Sequence, residues 1–167
     1  MLYSIIREEE GERNECTTVY FSVGGTTEKL AEEISLAANG AEILKLEPQV
    51  PYTQADINWH DKQSRSSVEM DDESCRVPLA DADFDFSDFD TIFAGFPIWW
   101  AVAPRIINTF FETFDLSGKK IALFATSGSS GIETAVQNLK TLYPSLDIVA
   151  GKIVADSRDA KQLVSSI

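Results

Sequence analysis

Apolar and polar positions follow two different rhythms along this chain. Thr17-Thr18-Val19-Tyr20-Phe21-Ser22 is β-branched and aromatic, and it stops at Gly24-Gly25. A run of that kind closed by glycines reads as a strand ending in a turn. The period then changes. Leu30, Ile34 and Ala38 recur on one face of Thr27 to Ala38, while Glu28, Lys29, Glu32 and Glu33 sit mostly elsewhere. That spacing predicts an amphipathic helix, ended by Asn39-Gly40. Ala41 to Leu46 reads as a second short strand. Thr91 to Phe96 is apolar almost throughout, as suits a central strand buried on both faces. Pro104 opens a helix whose Ile106, Ile107, Phe110, Phe111 and Phe114 share a face and which Gly118 ends. Proline is well placed in a first helical turn. Lys120 to Ala125 predicts a fourth strand, and Ile132, Ala135, Val136 and Leu139 mark a helix stopped near Pro144. Ile148 to Val154 reads as a last strand, and Ala160, Leu163, Val164 and Ile167 mark a short final helix.

Two stretches fall outside this rhythm. Residues 1–16 carry Glu8, Glu9, Glu10, Glu12 and Glu15 with no periodicity, and read as an acidic, exposed extension ahead of a single domain over 17–167. Pro48 to Asp90 is long and polar, and its middle, Ala55 to Met70, reads as an irregular surface helix. Strand and helix alternate everywhere else. This argues an α/β domain with a parallel sheet covered by helices on both faces, and right-handed crossovers leave few ways to connect it.

Composition narrows the function classes. The 167 residues, 44% of them hydrophobic, suffice for one substantial core. No apolar run approaches the roughly 20 residues that span a bilayer. The formal net charge is −13. That field repels duplex nucleic acid and anionic membranes, so neither is an expected partner. It suits a partner with a basic surface, or solubility alone. Cys16 and Cys75 form no CxxC pair and no disulfide framework. The first residues show no basic leader, long apolar stretch or small-residue cleavage site. A reduced, cytoplasmic setting is the expectation.

In an open parallel sheet, ligands bind beyond the carboxyl ends of the strands, where strand order reverses. Three loops lie at such ends. Ser22-Val23-Gly24-Gly25-Thr26-Thr27 joins a strand to a helix. Its glycines permit close backbone approach, and a helix N-terminus favours an anion such as phosphate. It holds no Lys or Arg, and is neither a Walker loop nor a G-x-G-x-x-G fingerprint. The plain alternative is a tight turn with a threonine cap. Pro97-Ile98-Trp99-Trp100-Ala101-Val102-Ala103 carries adjacent tryptophans whose side chains must diverge. One is then left near solvent or stacked on a flat ring; the alternative is core packing beside a partner-binding patch. Thr126-Ser127-Gly128-Ser129-Ser130-Gly131 offers exposed backbone that suits either a planar ligand or an ordinary flexible loop. Together the three suit a phosphorylated aromatic cofactor.

Other chemistry finds no support in the sequence. Asp81-Ala82-Asp83-Phe84-Asp85 imitates the start of an EF-hand loop, but Phe86 stands where glycine is needed and Ile92 where glutamate is needed. These aspartates read as a solvated approach to the next strand. His60, the single histidine, has no nucleophile motif to serve and reads as a surface side chain.

The loops carry a family resemblance. Val19-Tyr20-Phe21-Ser22-Val23-Gly24-Gly25-Thr26-Thr27 resembles the flavodoxin phosphate loop, usually Tyr-Phe-Ser-x-Thr-Gly-Asn-Thr. Gly95 to Trp100, with Ala103 to Phe110 following, is similar to the matching segment of short bacterial flavodoxin-like proteins, and Phe124 to Ile132 to their third loop. Pro51-Tyr52, Asp56 to Trp59 and Ser64 to Met70 also fit that group. The likeness runs from about Thr17 to Tyr143. The carboxyl-end rule is itself commonly illustrated with flavodoxin and FMN, so rule and resemblance count as one line of support.

The resemblance implies a three-layer α/β/α sandwich on a five-stranded parallel sheet in the order 2-1-3-4-5. It implies FMN as cofactor, held by Ser22, Val23, Gly24, Gly25, Thr26, Thr27, Pro97, Ile98, Trp99, Trp100, Ala101, Thr126, Ser127, Gly128, Ser129 and Gly131. It implies electron transfer to a redox protein, with no catalytic side chain required. An NAD(P)H-dependent flavin or quinone oxidoreductase on the same fold is the alternative enzyme reading, and a binding module with weakened or lost FMN binding is the third. Three positions depart from the pattern: Gly24 replaces a threonine, Thr26 an asparagine and Ala101 a glycine. A hydroxyl lost from a charged phosphate costs about 1.5–3 kcal/mol, so weakened FMN binding is expected. The final helix is also short for the family.

Overall fold

The computed structural model describes residues 15–167. Its strands are β1 (Cys16–Tyr20), β2 (Glu42–Lys45), β3 (Thr91–Pro97), β4 (Lys120–Thr126) and β5 (Asp147–Ile153). Its helices are α1 (Thr26–Ala37), α2 (Arg65–Asp71), α3 (Arg105–Thr113), α4 (Glu133–Leu142) and α5 (Ser157–Ser165). All neighbouring strands pair in parallel in the order β2-β1-β3-β4-β5, as the family resemblance implies.

Side-chain alternation on the strands divides the core in two. Val19, Phe21, Ile92, Ala94 and Phe96 face a cluster completed by Ile106, Ile107 and Phe110 of α3 and Ala135 and Leu139 of α4. Tyr20, Phe93 and Phe124 face the opposite layer, where Leu30 and Ile34 of α1 meet Ala160 and Leu163 of α5. The central strands carry apolar side chains to both faces because both are covered. Gly95 belongs to this packing. A Cβ there would lie 2.1 Å from the ring of Phe124, its neighbour on β4, so the ring occupies the space that the glycine leaves.

Some boundaries differ from the sequence reading, each for a local reason. Cys16 lies in β1, paired opposite Thr91, and so belongs to the sheet; the rest of the acidic extension, except Glu15, falls outside the described residues. The segment Ala55–Met70 is mostly turns, and only its end enters a helix. Asp56, Asn58 and Asp61 accept backbone N–H groups of Thr53, His60 and Gln63 on their side-chain oxygens, and such local bonds compete with a helical ladder. Pro104 precedes α3 as its N-cap and is not in its first turn, and α3 stops at Thr113, short of Gly118. There Asp115 accepts the N–H of Ser117, while Phe114 leaves the helix to pack on Phe86 at 5.1 Å.

The chain direction across the sheet reverses between β1 and β3. The loops leaving these two strands therefore part and open a crevice at their carboxyl ends.

Candidate functional site

The crevice is built from the ends of β1, β3 and β4. After β1 the backbone turns through Gly25 at φ 87°, a left-handed conformation that favours glycine. The Ser22 hydroxyl accepts the Gly25 N–H at 3.0 Å and holds the turn closed. Gly25 is the N-cap of α1 and gives no side-chain cap, so the first-turn amides of the helix meet no capping side chain. An uncapped helix N-terminus presents N–H dipoles and partial positive charge to an anion. Thr27 is buried, and its hydroxyl pairs with that of Thr126 at 2.9 Å, tying the first loop to the third.

The second loop is a tight hairpin. Trp99 N–H donates to Val102 C=O at 2.9 Å, and Val102 N–H returns to Trp99 C=O at 3.1 Å. The two residues between them, Trp100 and Ala101, both have positive φ, 49° and 68°. Positive φ at both central positions is the mark of a type I′ turn, which normally selects Asn-Gly. Here a tryptophan and an alanine occupy it, at a cost of about 1–2 kcal/mol each. The turn sends the two indoles apart. Trp99 packs edge-on against Phe21 and Tyr52, with centroids 5.6 Å away in each case. Trp100 remains 48% exposed at the rim.

Beneath Trp99, Tyr52 is locked in place. Its hydroxyl donates to the Glu69 carboxylate, and the Arg65 guanidinium lies 3.8 Å over its ring. Burial first, and then the Glu69 acceptor, push the Tyr52 pKa well above the ordinary tyrosine value. Arg65 also pairs with Glu69 at 3.2 Å and donates to Val50 C=O at 2.7 Å. Buried Arg105, at the start of α3, donates to the carbonyls of Glu69 and Met70. The segment around α2 is thereby fastened to the sheet end.

These loops enclose a continuous cleft. Its inner part, about 400 Å³, is lined by Ser22, Val23, Gly24, Thr26, Thr27 and Thr126 together with Pro97 and the shared residues named next. Its outer part, about 410 Å³, adds Trp59, Ser66, Trp100, Ser129 and Ser130. Ile57, Ile98, Trp99, Ser127 and Gly128 line both. Each part falls within the size range of cofactor pockets, about 300–1,000 Å³. Among the described residues no charged side chain lines either part, so of these residues only neutral dipoles would hold an anion there.

Thirteen of the sixteen residues singled out from the sequence line this cleft. Gly25, Ala101 and Gly131 do not: Gly25 caps the helix, Ala101 completes the hairpin turn, and Gly131 faces the carboxylate of Glu133. The sequence reading left out Ile57, Trp59, Ser66 and Ser130. Ile57 and Trp59 are isolated apolar residues in a polar, aperiodic segment, and the signals for them were that apolarity and the family likeness of Asp56 to Trp59. His60 stacks on exposed Trp59 at 3.7 Å and lines no part of the cleft. Among the described residues no cluster of three or more His, Cys, Asp or Glu could hold a metal ion, and no helix is long and apolar enough to cross a membrane.

Comparison with known proteins gives a concordant result. The family model described as flavodoxin matches residues 16–167. No match was found among curated proteins. A candidate flavoprotein from Bacteroides uniformis, known from its crystal structure, is 42% identical and superposes with a TM-score of 0.88, covering 92% of this chain and 99% of its own. A second candidate flavoprotein, from Bacteroides eggerthii, is 39% identical with a TM-score of 0.88, covering 93% and 98%. A flavoprotein from Lactobacillus acidophilus, solved in complex with FMN, shares the fold at 18% identity and a TM-score of 0.69, covering 91% and 99%.

Proposed function

This chain belongs to the flavodoxin family, and from that premise we propose that its rim cleft binds FMN and that the protein is an electron carrier. One observation carries the reading: a single cleft joins the uncapped N-terminus of α1 to the tryptophan wall of the second loop. A phosphate needs the first and a flat aromatic ring the second. The donor set suits the group, because the hydroxyls of Ser22 and Thr26 and the first-turn amides of α1 lie at one end. Ile57, Ile98, Trp99 and Trp100 form apolar walls at the other.

Bound flavin supplies the redox chemistry, accepting and releasing electrons on its ring system. The chain's own residues bind, orient and tune. The Thr27–Thr126 hydroxyl pair keeps the first and third loops in register. Phe21 and Tyr52 pack edge-on behind Trp99 and hold its indole in place as a wall of the cleft. The third loop offers backbone groups at the edge of the cleft. A net charge of −13 disfavours added negative charge, which lowers the flavin potential, and it steers a partner with a basic surface.

The absorption spectrum of the purified protein, before and after addition of FMN, tests this reading. A flavin band that stays with the protein through gel filtration is the expected result. A protein that is colourless and takes up no FMN overturns the redox reading and leaves a binding module in its place.

A second reading, an NAD(P)H-dependent flavin or quinone reductase, draws on one further feature. Beyond Trp100 lies a hollow of about 570 Å³ lined by Trp59, Lys62, Ser67, Val68, Met70 and Asp71. It gives room for a second flat substrate beside the ring site. Sustained NAD(P)H oxidation with a quinone by the FMN-loaded protein would establish that activity, and its absence would leave the carrier.

A further inference from the structure

We infer that Ser66 is a flavin-ring contact, its hydroxyl reserved for a hydrogen bond to a polar atom of the isoalloxazine; this rests on the FMN reading above. Ser66 is 1% exposed and lines the outer part of the cleft. Its hydroxyl is buried and has no hydrogen-bond partner. A buried hydroxyl left unpaired is unfavourable, and folded proteins rarely keep one without a reason.

The other polar side chains of the cleft do not share this condition. Ser22 holds the Gly25 N–H, and Thr27 and Thr126 hold each other. Thr26, Ser127, Ser129 and Ser130 are exposed or half-exposed, within reach of water. Among the described residues Thr18 is the other buried hydroxyl without a partner, but it lies inside β1 and lines neither part of the cleft.

The position of Ser66 is also fixed. Its N–H donates to Asp56 C=O at 2.9 Å. On one side Arg65 grips Val50 C=O and Glu69, and on the other Arg105 holds the carbonyls of Glu69 and Met70. A hydroxyl fixed this firmly loses little freedom when a ligand arrives. The isoalloxazine offers carbonyl oxygens and ring nitrogens as acceptors and an imide N–H as donor, and a hydroxyl can serve either kind. The α2 segment thereby contributes a fourth wall to a site whose other polar contacts come from the three strand-end loops.

The experiment is Ser66→Ala, with FMN and the phosphate-free ring analogue lumiflavin as probes. Binding is read by flavin fluorescence, and the stability of the flavin-free protein by thermal unfolding. The expected result has opposite signs. The flavin-free variant melts at the wild-type temperature or above, because an unpaired hydroxyl has been removed. Both flavins bind about tenfold more weakly, as loss of one neutral hydrogen bond of about 1.4 kcal/mol gives, and the absorption maximum of bound FMN shifts. Ser66→Cys, nearly the same in shape but a weak donor, falls between the two. Wild-type affinity and spectrum in the alanine variant overturn the inference while leaving FMN binding intact. Weaker binding together with a lower melting temperature of the flavin-free variant also overturns it, because that pattern marks a structural role. A wild-type protein that takes up neither flavin overturns both this inference and the function on which it rests.

Discussion

Gly24→Thr tests the weakest part of the phosphate loop. A Cβ built on Gly24 meets no atom within 4 Å, and Gly24 is not among the residues of positive φ, unlike its neighbour Gly25 at 87°. A threonine therefore enters without clash or backbone strain. Its hydroxyl stands in the inner part of the cleft beside Ser22 and Thr26. A hydrogen bond to a charged group is worth about 1.5–3 kcal/mol, which corresponds to about 10- to 150-fold in Kd. Ordering the new side chain takes back about 0.5–1 kcal/mol, so a net gain of about 0.5–2.5 kcal/mol, about 2- to 60-fold in Kd for FMN, is expected. Isothermal titration at fixed ionic strength measures it, with riboflavin as the control that lacks the phosphate and Gly24→Ala as the control that lacks the hydroxyl. Unchanged or weaker FMN binding by Gly24→Thr would refute the placing of the phosphate. An equal gain for riboflavin, or from Gly24→Ala, would show that stiffening of the loop is responsible and not the hydroxyl.

Four further outcomes follow from the same geometry. Ala101 sits at φ 68°, so Ala101→Gly relieves about 1–2 kcal/mol of left-handed strain against about 0.5–1 kcal/mol of added chain freedom; a melting temperature raised by about one to three degrees is expected, and a fall contradicts the turn assignment. Gly95→Ala drives a methyl into the Phe124 ring and costs about 1–3 kcal/mol by overpacking, measured by urea unfolding; a variant as stable as the wild type contradicts the packing described. No cation among the described residues lines the cleft and the protein carries −13, so FMN binding should tighten or hold steady as salt rises from about 10 to 150 mM and the Debye length shrinks from about 30 to 8 Å; strong weakening by salt would reveal a cationic contact. The pKa values of Tyr20, Tyr52 and Tyr143 are raised, in each case by burial first and then by a hydrogen bond to Glu28, Glu69 or Glu112. Because the folded values exceed the unfolded value of 10.0, their contribution to stability is complete below pH 10 and is lost as pH rises through the folded values; absorbance titration should show these phenols ionising late, together with alkaline unfolding, and early ionisation in the folded state would contradict the buried pairs.

The sequence alone determined most of this architecture, because its determinants are local. A continuous apolar run at Thr91–Phe96, alternating with helices of period near 3.6, marks a parallel sheet covered on both faces wherever it occurs. Such a sheet places functional loops at its carboxyl ends, so Ser22–Thr27, Pro97–Ala103 and Thr126–Gly131 were legible as one rim before any contact was known. The double tryptophan likewise announced its own divergence, since adjacent side chains cannot share one pocket. Tertiary structure decided the rest. Ile57, Trp59 and Ser66 belong to the cleft because Arg65, Tyr52 and Arg105 fasten an irregular segment against it, and those bonds join residues about 15 to 36 positions apart. No periodicity carries such information. An unpaired hydroxyl is also invisible in sequence, where Ser66 looks like any other serine in Ser64–Ser67. Only when the surrounding atoms exclude water and offer no partner does it become a group with a bond still to make.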